Sequence, residues 1–177
     1  GMNAWGVTGG DFDGDGDLDL ASANNGTVSI IFNSGFGTFS SATNYTVGAN
    51  AYGITSGDLD GDGDLDLALG YTGGSVVSVL LNNGGGTFGA TTDYSIGSGV
   101  NPLGIVLGDF DGDSDLDIAT GNQSTSVSIL LNNGSGAFGA ATTTQMSLGH
   151  RIAAGDFDGD GDLDLATTSS PLGTVHI

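Results

Sequence analysis

Short apolar segments alternate with polar turns along this chain, and the alternation repeats. A first segment, Trp5-Gly-Val-Thr8, recurs as Tyr52-Gly-Ile-Thr55, Leu103-Gly-Ile-Val106 and His150-Arg-Ile-Ala153. A second, Leu18-Asp-Leu-Ala-Ser22 and its counterparts, alternates apolar and polar side chains. The third reads Thr27-Val-Ser-Ile-Ile-Phe-Asn33, Val76-Val-Ser-Val-Leu-Leu-Asn82 and Ser126-Val-Ser-Ile-Leu-Leu-Asn132. A Gly/Asn turn follows, ending in Phe39, Phe88 or Phe138, and a fourth segment carries Tyr45-Thr-Val47 or Tyr94-Ser-Ile96. Segments this short, β-branched and bounded by Gly and Asn predict strands. Asn82-Asn-Gly-Gly85 and Asn132-Asn-Gly-Ser135 are hairpin-turn sequences, because Asn and Gly tolerate positive φ. No stretch shows a helical period.

Between the first and second segments lies a nine-residue acidic loop, beginning at Asp11, Asp58, Asp109 and Asp156. The spacings are therefore 47, 51 and 47 residues. Four antiparallel strands per unit, repeated every roughly 40 to 50 residues, predict the blades of a β-propeller. A parallel β-helix also repeats, but with much shorter coils. The fold class expected is all-β, one repeat domain over 1–177. Its units run approximately over 3–49, 50–100, 101–148 and 149–177. Thr174-Val-His-Ile177 aligns with Thr27-Val-Ser-Ile30, so the fourth unit stops within its third strand. The expectation is a piece of a longer array, just under four blades long.

The loops hold 20 of the 21 acidic residues. Positions 1 (Asp11, Asp58, Asp109, Asp156), 3 (Asp13, Asp60, Asp111, Asp158), 5 (Asp15, Asp62, Asp113, Asp160) and 9 (Asp19, Asp66, Asp117, Asp164) are Asp in every copy. Position 7 is also Asp: Asp17, Asp64, Asp115 and Asp162. Five carboxylates in nine residues repel one another unless a cation joins them. A hard cation with several oxygen ligands fits, and Ca²⁺ is the expected one, at four sites. Glycine at position 4, and at position 6 except for Ser114, lets the backbone curl so that side chains 1, 3 and 5 converge. Position 9 returns from the next strand to close the shell. Position 7 is expected to offer its carbonyl, with its carboxylate turned toward water. Apolar residues at position 2 (Phe12, Leu59, Phe110, Phe157) and position 8 (Leu18, Leu65, Leu116, Leu163) are expected to fasten the loop to the core. An EF-hand begins similarly but requires Glu at position 12 and flanking helices. Position 12 here is Ser22, Leu69, Thr120 or Thr167, and the flanks are strands.

Gly-Asp-Phe-Asp-Gly-Asp-Gly-Asp-Leu-Asp-Leu-Ala, followed by Val-Ser-Ile-Leu-Leu-Asn and a Gly-rich turn, resembles the FG-GAP/VCBS repeat family over nearly the whole chain. That family includes the propeller heads of integrin α subunits and is common in secreted bacterial proteins. The resemblance implies a loop joining the first two strands of a blade. It implies calcium held through positions 1, 3, 5 and 9 with the position-7 carbonyl. Ser114 departs from the pattern and is expected to loosen the third site. The resemblance also implies seven-bladed rings, so exposed blade faces are expected to find a partner. A homodimer closing a ring of about eight blades is the simplest candidate, with a compact four-bladed monomer as the alternative.

Composition narrows the partners. One Arg, no Lys and a formal charge of −20 exclude nucleic acid, whose phosphates need cationic side chains. Four divalent ions bring the charge only to −12. No apolar run approaches the ~20 residues needed to span a bilayer. Cysteine is absent, so there is no disulfide framework. Many-carboxylate sites of this kind belong to extracellular modules, with Kd about 10⁻⁴ to 10⁻³ M. A secreted or cell-surface location is expected.

Trp5, Tyr52, Leu103 and His150 occupy equivalent places and are expected to pack blade on blade rather than form a ligand-stacking platform. Arg151, in place of a glycine, is expected to pair with a carboxylate. His150 and His176 lie in different segments, which argues against a zinc or acid/base pair; His176 is expected to be an exposed strand residue. Tyr45, Tyr94 and Met146 are expected to pack outer strands. No nucleophile motif or phosphate-binding loop is present, and an enzyme is not expected. The expected function is a calcium-stabilised adhesion or binding module for a protein or glycan ligand. A lectin-like propeller, or an accessory domain of a secreted enzyme, is the alternative.

Overall fold

The structure is a computed structural model that describes residues 4–146, 150–168 and 175–176. Every regular element among them is a strand. The first sheet runs β1 (Ala4–Gly10), β2 (Asp19–Asn24), β3 (Thr27–Ile31) and β4 (Thr43–Thr46). The second comprises β5 (Ala51–Gly57), β6 (Asp66–Tyr71), β7 (Val76–Leu80) and β8 (Thr92–Ser95). The third comprises β9 (Pro102–Gly108), β10 (Asp117–Asn122), β11 (Ser126–Leu130) and β12 (Thr142–Gln145). Strands β13 (Arg151–Gly155), β14 (Asp164–Thr168) and β15 (Val175–His176) form a fourth, three-stranded sheet. Each sheet is an antiparallel meander in chain order, so each is a propeller blade of an open arc. The pairings Thr168↔Val175 and Thr167↔His176 repeat Ala23↔Val28 and Ser22↔Ser29 of the first sheet. Thr174, Ile177 and the side chain of His176 lie outside the described residues.

Sheets stack face to face, and their second strands carry the core. Strands β6 and β10 are buried along their whole length, because sheets cover both of their faces. Between the first two sheets, Phe12, Val28 and Ile30 meet Leu67, Leu69 and Leu80. Between the second and third, Leu59, Val77 and Val79 meet Ile105, Ile118 and Leu130. Each such side chain contributes about 1.5–3 kcal/mol when fully buried. A unit alone could not bury these faces, which is why sequence repetition is needed for stability.

The inner strands β1, β5 and β9 each carry a β-bulge at the same place. Register slips between Ala4 and Gly6, between Ala51 and Gly53, and opposite Gly121 and Asn122. Trp5, Tyr52 and Leu103 are the extra residues. Just beyond each bulge lies Gly6, Gly53 or Gly104, where a side chain would collide with the next inner strand.

Candidate metal centre

Each acidic loop is wound by its own carboxylates. Asp11 accepts the N–H groups of Gly14 at 2.8 Å and Gly16 at 2.9 Å, one on each oxygen. Asp58 holds Gly61 and Gly63, Asp109 holds Gly112 and Ser114, and Asp156 holds Gly159 and Gly161 in the same way. The position-5 carboxylate accepts the N–H of position 7 at 2.9 Å in all four loops. Positions 4 and 6 adopt positive φ throughout, and Ser114 does so at 77°. Ser114 therefore keeps the geometry of the glycines, with its N–H 2.9 Å from Asp109. The departure from glycine is taken up as backbone strain.

Position 9 is fixed from two sides. One oxygen of Asp19 accepts the N–H of Phe12 at 2.9 Å and the other that of Asn33 at 2.7 Å. Asp66 repeats this with Leu59 and Asn82, and Asp117 with Phe110 and Asn132. All three carboxylates are fully buried. Burial pushes the Asp66 carboxyl up to about 6, against the two N–H bonds and with help from Asp60 and Asp62. Burial also raises Asp117, Asp13 and Asp60, and neighbouring carboxylates add to the rise in each.

Carboxylate oxygens lie within 4.8 Å of one another in Asp11, Asp13 and Asp15, and in Asp58, Asp60 and Asp62. The same holds for Asp109, Asp111 and Asp117, and for Asp156, Asp158 and Asp164. Each group could hold a metal ion. Asp19 and Asp66 in the first two loops, and Asp113 and Asp160 in the last two, are not drawn into these groups. The position-7 carboxylates of Asp17, Asp64, Asp115 and Asp162 join none of them. The first three point toward Gly35, Gly84 and Gly134 of the turn after the third strand. The donor set, all hard carboxylate oxygen, suits a divalent cation that takes oxygen ligands.

The apolar loop positions divide their work. Phe12 and Leu59 at position 2 are buried in the core, whereas Phe157 is half exposed. Position 8 faces the preceding unit: Leu65 packs against Gly10, Leu116 against Gly57 and Leu163 against Gly108. Leu18 has no preceding unit among the described residues and is 69% exposed.

One set of residues escaped the sequence reading. Asn82 Nδ2 donates to the carbonyl of Phe12, in the loop of the neighbouring sheet, at 2.9 Å, and to Leu65 O. Asn132 does the same to Leu59 O at 2.8 Å and to Leu116 O. Each Asn thus clamps its own loop to the one before it. The signal is an Asn closing the third segment of three units, a residue that turn chemistry alone also explains. The partner expected for Arg151 also differs. Its Nη2 donates to Tyr52 Oη at 3.2 Å and its guanidinium lies 5.4 Å from that ring's centre. A phenol two sheets away, not a carboxylate, meets it. Trp5 and Tyr52 stack at 6.1 Å across the first two sheets.

Bladed antiparallel sheets with an acidic loop between their first two strands define a repeat β-propeller. FG-GAP-like repeats match the chain at residues 11–69, 58–120 and 109–167. The chain belongs to the FG-GAP-like repeat family. A comparison with curated proteins found no match. Among solved structures, it is similar to an Agrocybe aegerita lectin that recognises non-reducing terminal N-acetylglucosamine. The two are 28% identical with a TM-score of 0.63, over 89% of this chain and 44% of the lectin chain. It is also similar to the Photorhabdus luminescens Tc holotoxin pore, at 20% identity and a TM-score of 0.59, over 96% of this chain and 9% of that one. BBS1N, from its complex with ARL6DN, matches at 15% identity and a TM-score of 0.59, over 96% of this chain and 52% of that one. The last two likenesses concern the fold alone. The chain spans less than half the length of the lectin.

Proposed function

We propose that the chain is an extracellular calcium-binding propeller module that binds a protein or glycan ligand, with Ca²⁺ in a structural role. The observation that carries this reading is that all four hydrogen-bonded loops bring the carboxylates of positions 1 and 3 together with that of position 5 or position 9. The residues proposed to hold the ion are the clustered Asp at positions 1, 3, 5 and 9. Position 7 contributes through its carbonyl, since its carboxylate points elsewhere. When bound, the ion supplies positive charge that lets buried carboxylates such as Asp66 stay ionised. Secretion follows from the calcium supply such sites need. The proposal contains no catalytic step.

Calorimetry after removal and return of calcium is expected to count close to four ions per chain. Chelator is expected to lower the melting temperature by many degrees, because metal binds the folded state. Mg²⁺ is expected to restore little, since it demands a tighter octahedron. A count of zero or one, or equal melting temperatures, would overturn the reading.

A second reading, that the bound ligand is a carbohydrate, is supported by the 28% identity to the fungal lectin. A glycan array tests it, and silence across the array would dismiss it.

A further inference from the structure

We propose that the inner strands form a binding site for a carboxylate-bearing saccharide, stacked on Trp5 and Tyr52 and gripped by Arg151. The saccharide rests on the carbohydrate reading above; the carboxylate rests on the pocket alone.

All four inner strands line a cavity of about 290 Å³, with Trp5, Tyr52, Leu103 and Arg151 on its walls. That is near the lower limit of ligand pockets, about 300–1,000 Å³, and suits one sugar ring rather than a long chain. Three of those residues are the extra residues of β-bulges. A bulge leaves its residue out of the ladder and re-aims its side chain, and bulges gather beside binding sites. Here one bulge per sheet turns Trp5, Tyr52 and Leu103 into the same space. Trp5 stays 41% exposed although it stacks on Tyr52. Such an aromatic wall presents an apolar face to a sugar ring while hydroxyls reach its rim.

The fourth unit breaks the pattern where the pocket needs a charge. Units one to three have Gly6, Gly53 and Gly104, each close under the following inner strand. The fourth has Arg151, the chain's sole Lys or Arg. Its side chain is exposed and crosses to Tyr52, past the sheet between them. A guanidinium carries five N–H donors, and Tyr52 Oη takes one. The rest suit the fork of a carboxylate. The acidic loops do not cancel this charge. They follow the far ends of the inner strands, and the five residues of β13, which begins at Arg151, span about 17 Å. Screening at physiological salt acts over about 8 Å.

Trp5 is the only tryptophan, so its fluorescence reports on the pocket directly. The calcium-loaded chain would be titrated with three oligosaccharides: one ending in a uronic acid, the same sugar with that carboxyl reduced to an alcohol, and one ending in N-acetylglucosamine. Calorimetry would run in parallel. The uronate is expected to give a saturable fluorescence change and to bind about tenfold tighter than its reduced form. Arg151→Gly restores the residue of the other units and is expected to erase that preference without lowering the melting temperature. Equal binding of the uronate and its reduced form would overturn the role of Arg151 and leave the carbohydrate reading standing. Uronate binding that Arg151→Gly does not weaken, or that calorimetry sees and Trp5 does not, would place the site elsewhere and overturn the proposal. No binding of any of the three would overturn both.

Discussion

Ser114 and Asp66 show how single residues set the state of the loops. Ser114 holds φ at 77° so that its N–H can reach Asp109, a conformation that costs a non-glycine residue about 1–2 kcal/mol. Ser114→Gly removes that strain but adds some freedom to the unfolded chain. The net expectation is a gain of about 0.5–1 kcal/mol, read from urea melts in excess calcium. Asp66 acts through protonation. Its folded pKa, about 6 without metal, lies above the ordinary 3.8, so the metal-free fold binds the proton more tightly than the unfolded chain. Stability from this group is present below pH 3.8 and lost as pH rises through about 6. On the calcium-binding proposal the sign reverses, because the metal takes the ionised form. The gap between melting temperatures with calcium and with chelator is therefore expected to widen from pH 5 to pH 7. A constant gap would show that Asp66 does not take part.

At the scale of strands and loops, the element that joins one unit to the next is an asparagine. Asn82→Leu leaves the carbonyls of Phe12 and Leu65 without their donor, and Asn132→Leu does the same to Leu59 and Leu116. Each is expected to cost about 1–3 kcal/mol. Asn33 stands at the same place, but its Oδ1 is buried without a partner and no neighbouring loop meets it among the described residues. Asn33→Leu is expected to be nearly neutral in the single chain, at concentrations too low for a second copy to cover the first sheet. Denaturant melts of the three variants separate a clamp between units from a simple turn residue, for which all three would cost alike. Strands and loops were legible in the sequence because their causes are local: alternation over a few residues, and five charges in nine positions. The clamp was not, because Asn after a strand satisfies turn chemistry equally well, and Phe12 lies 70 residues from Asn82. Tyr52, 99 residues from Arg151, was hidden for the same reason. Only the curvature of the arc brings the inner strands of the second and fourth sheets within reach of one side chain.

Along the chain as a whole, the two outermost sheet faces of the described residues have no sheet over them. On the first sheet, Leu18 and Leu20 are 69% and 38% exposed, whereas their counterparts Leu65 and Leu67 pack against a preceding sheet. On the fourth, Phe157, Ala153, Ala166 and Val175 line an apolar cavity of about 360 Å³. Phe12, Ala21 and Val28, the counterparts of Phe157, Ala166 and Val175, are buried under the second sheet. The two faces therefore match the two sides of an internal junction, and apolar surface of this kind is expected to find a partner. A second copy placed head to tail offers each half to the other, and two such junctions close a ring. Arg151 opposes an identical junction, since it stands where Gly53 admits the next inner strand; the inner end must open to accommodate it. Apolar burial along the second strands is expected to outweigh that local gap. Light scattering in excess calcium should then give about twice the 17.3 kDa of one chain. Leu18→Arg, which places a charge in the junction at a side chain 69% exposed in the single chain, should return the mass to that of one chain. A single-chain mass for the unaltered protein at high concentration would show that each sheet face tolerates water, and that the arc stands open on its own.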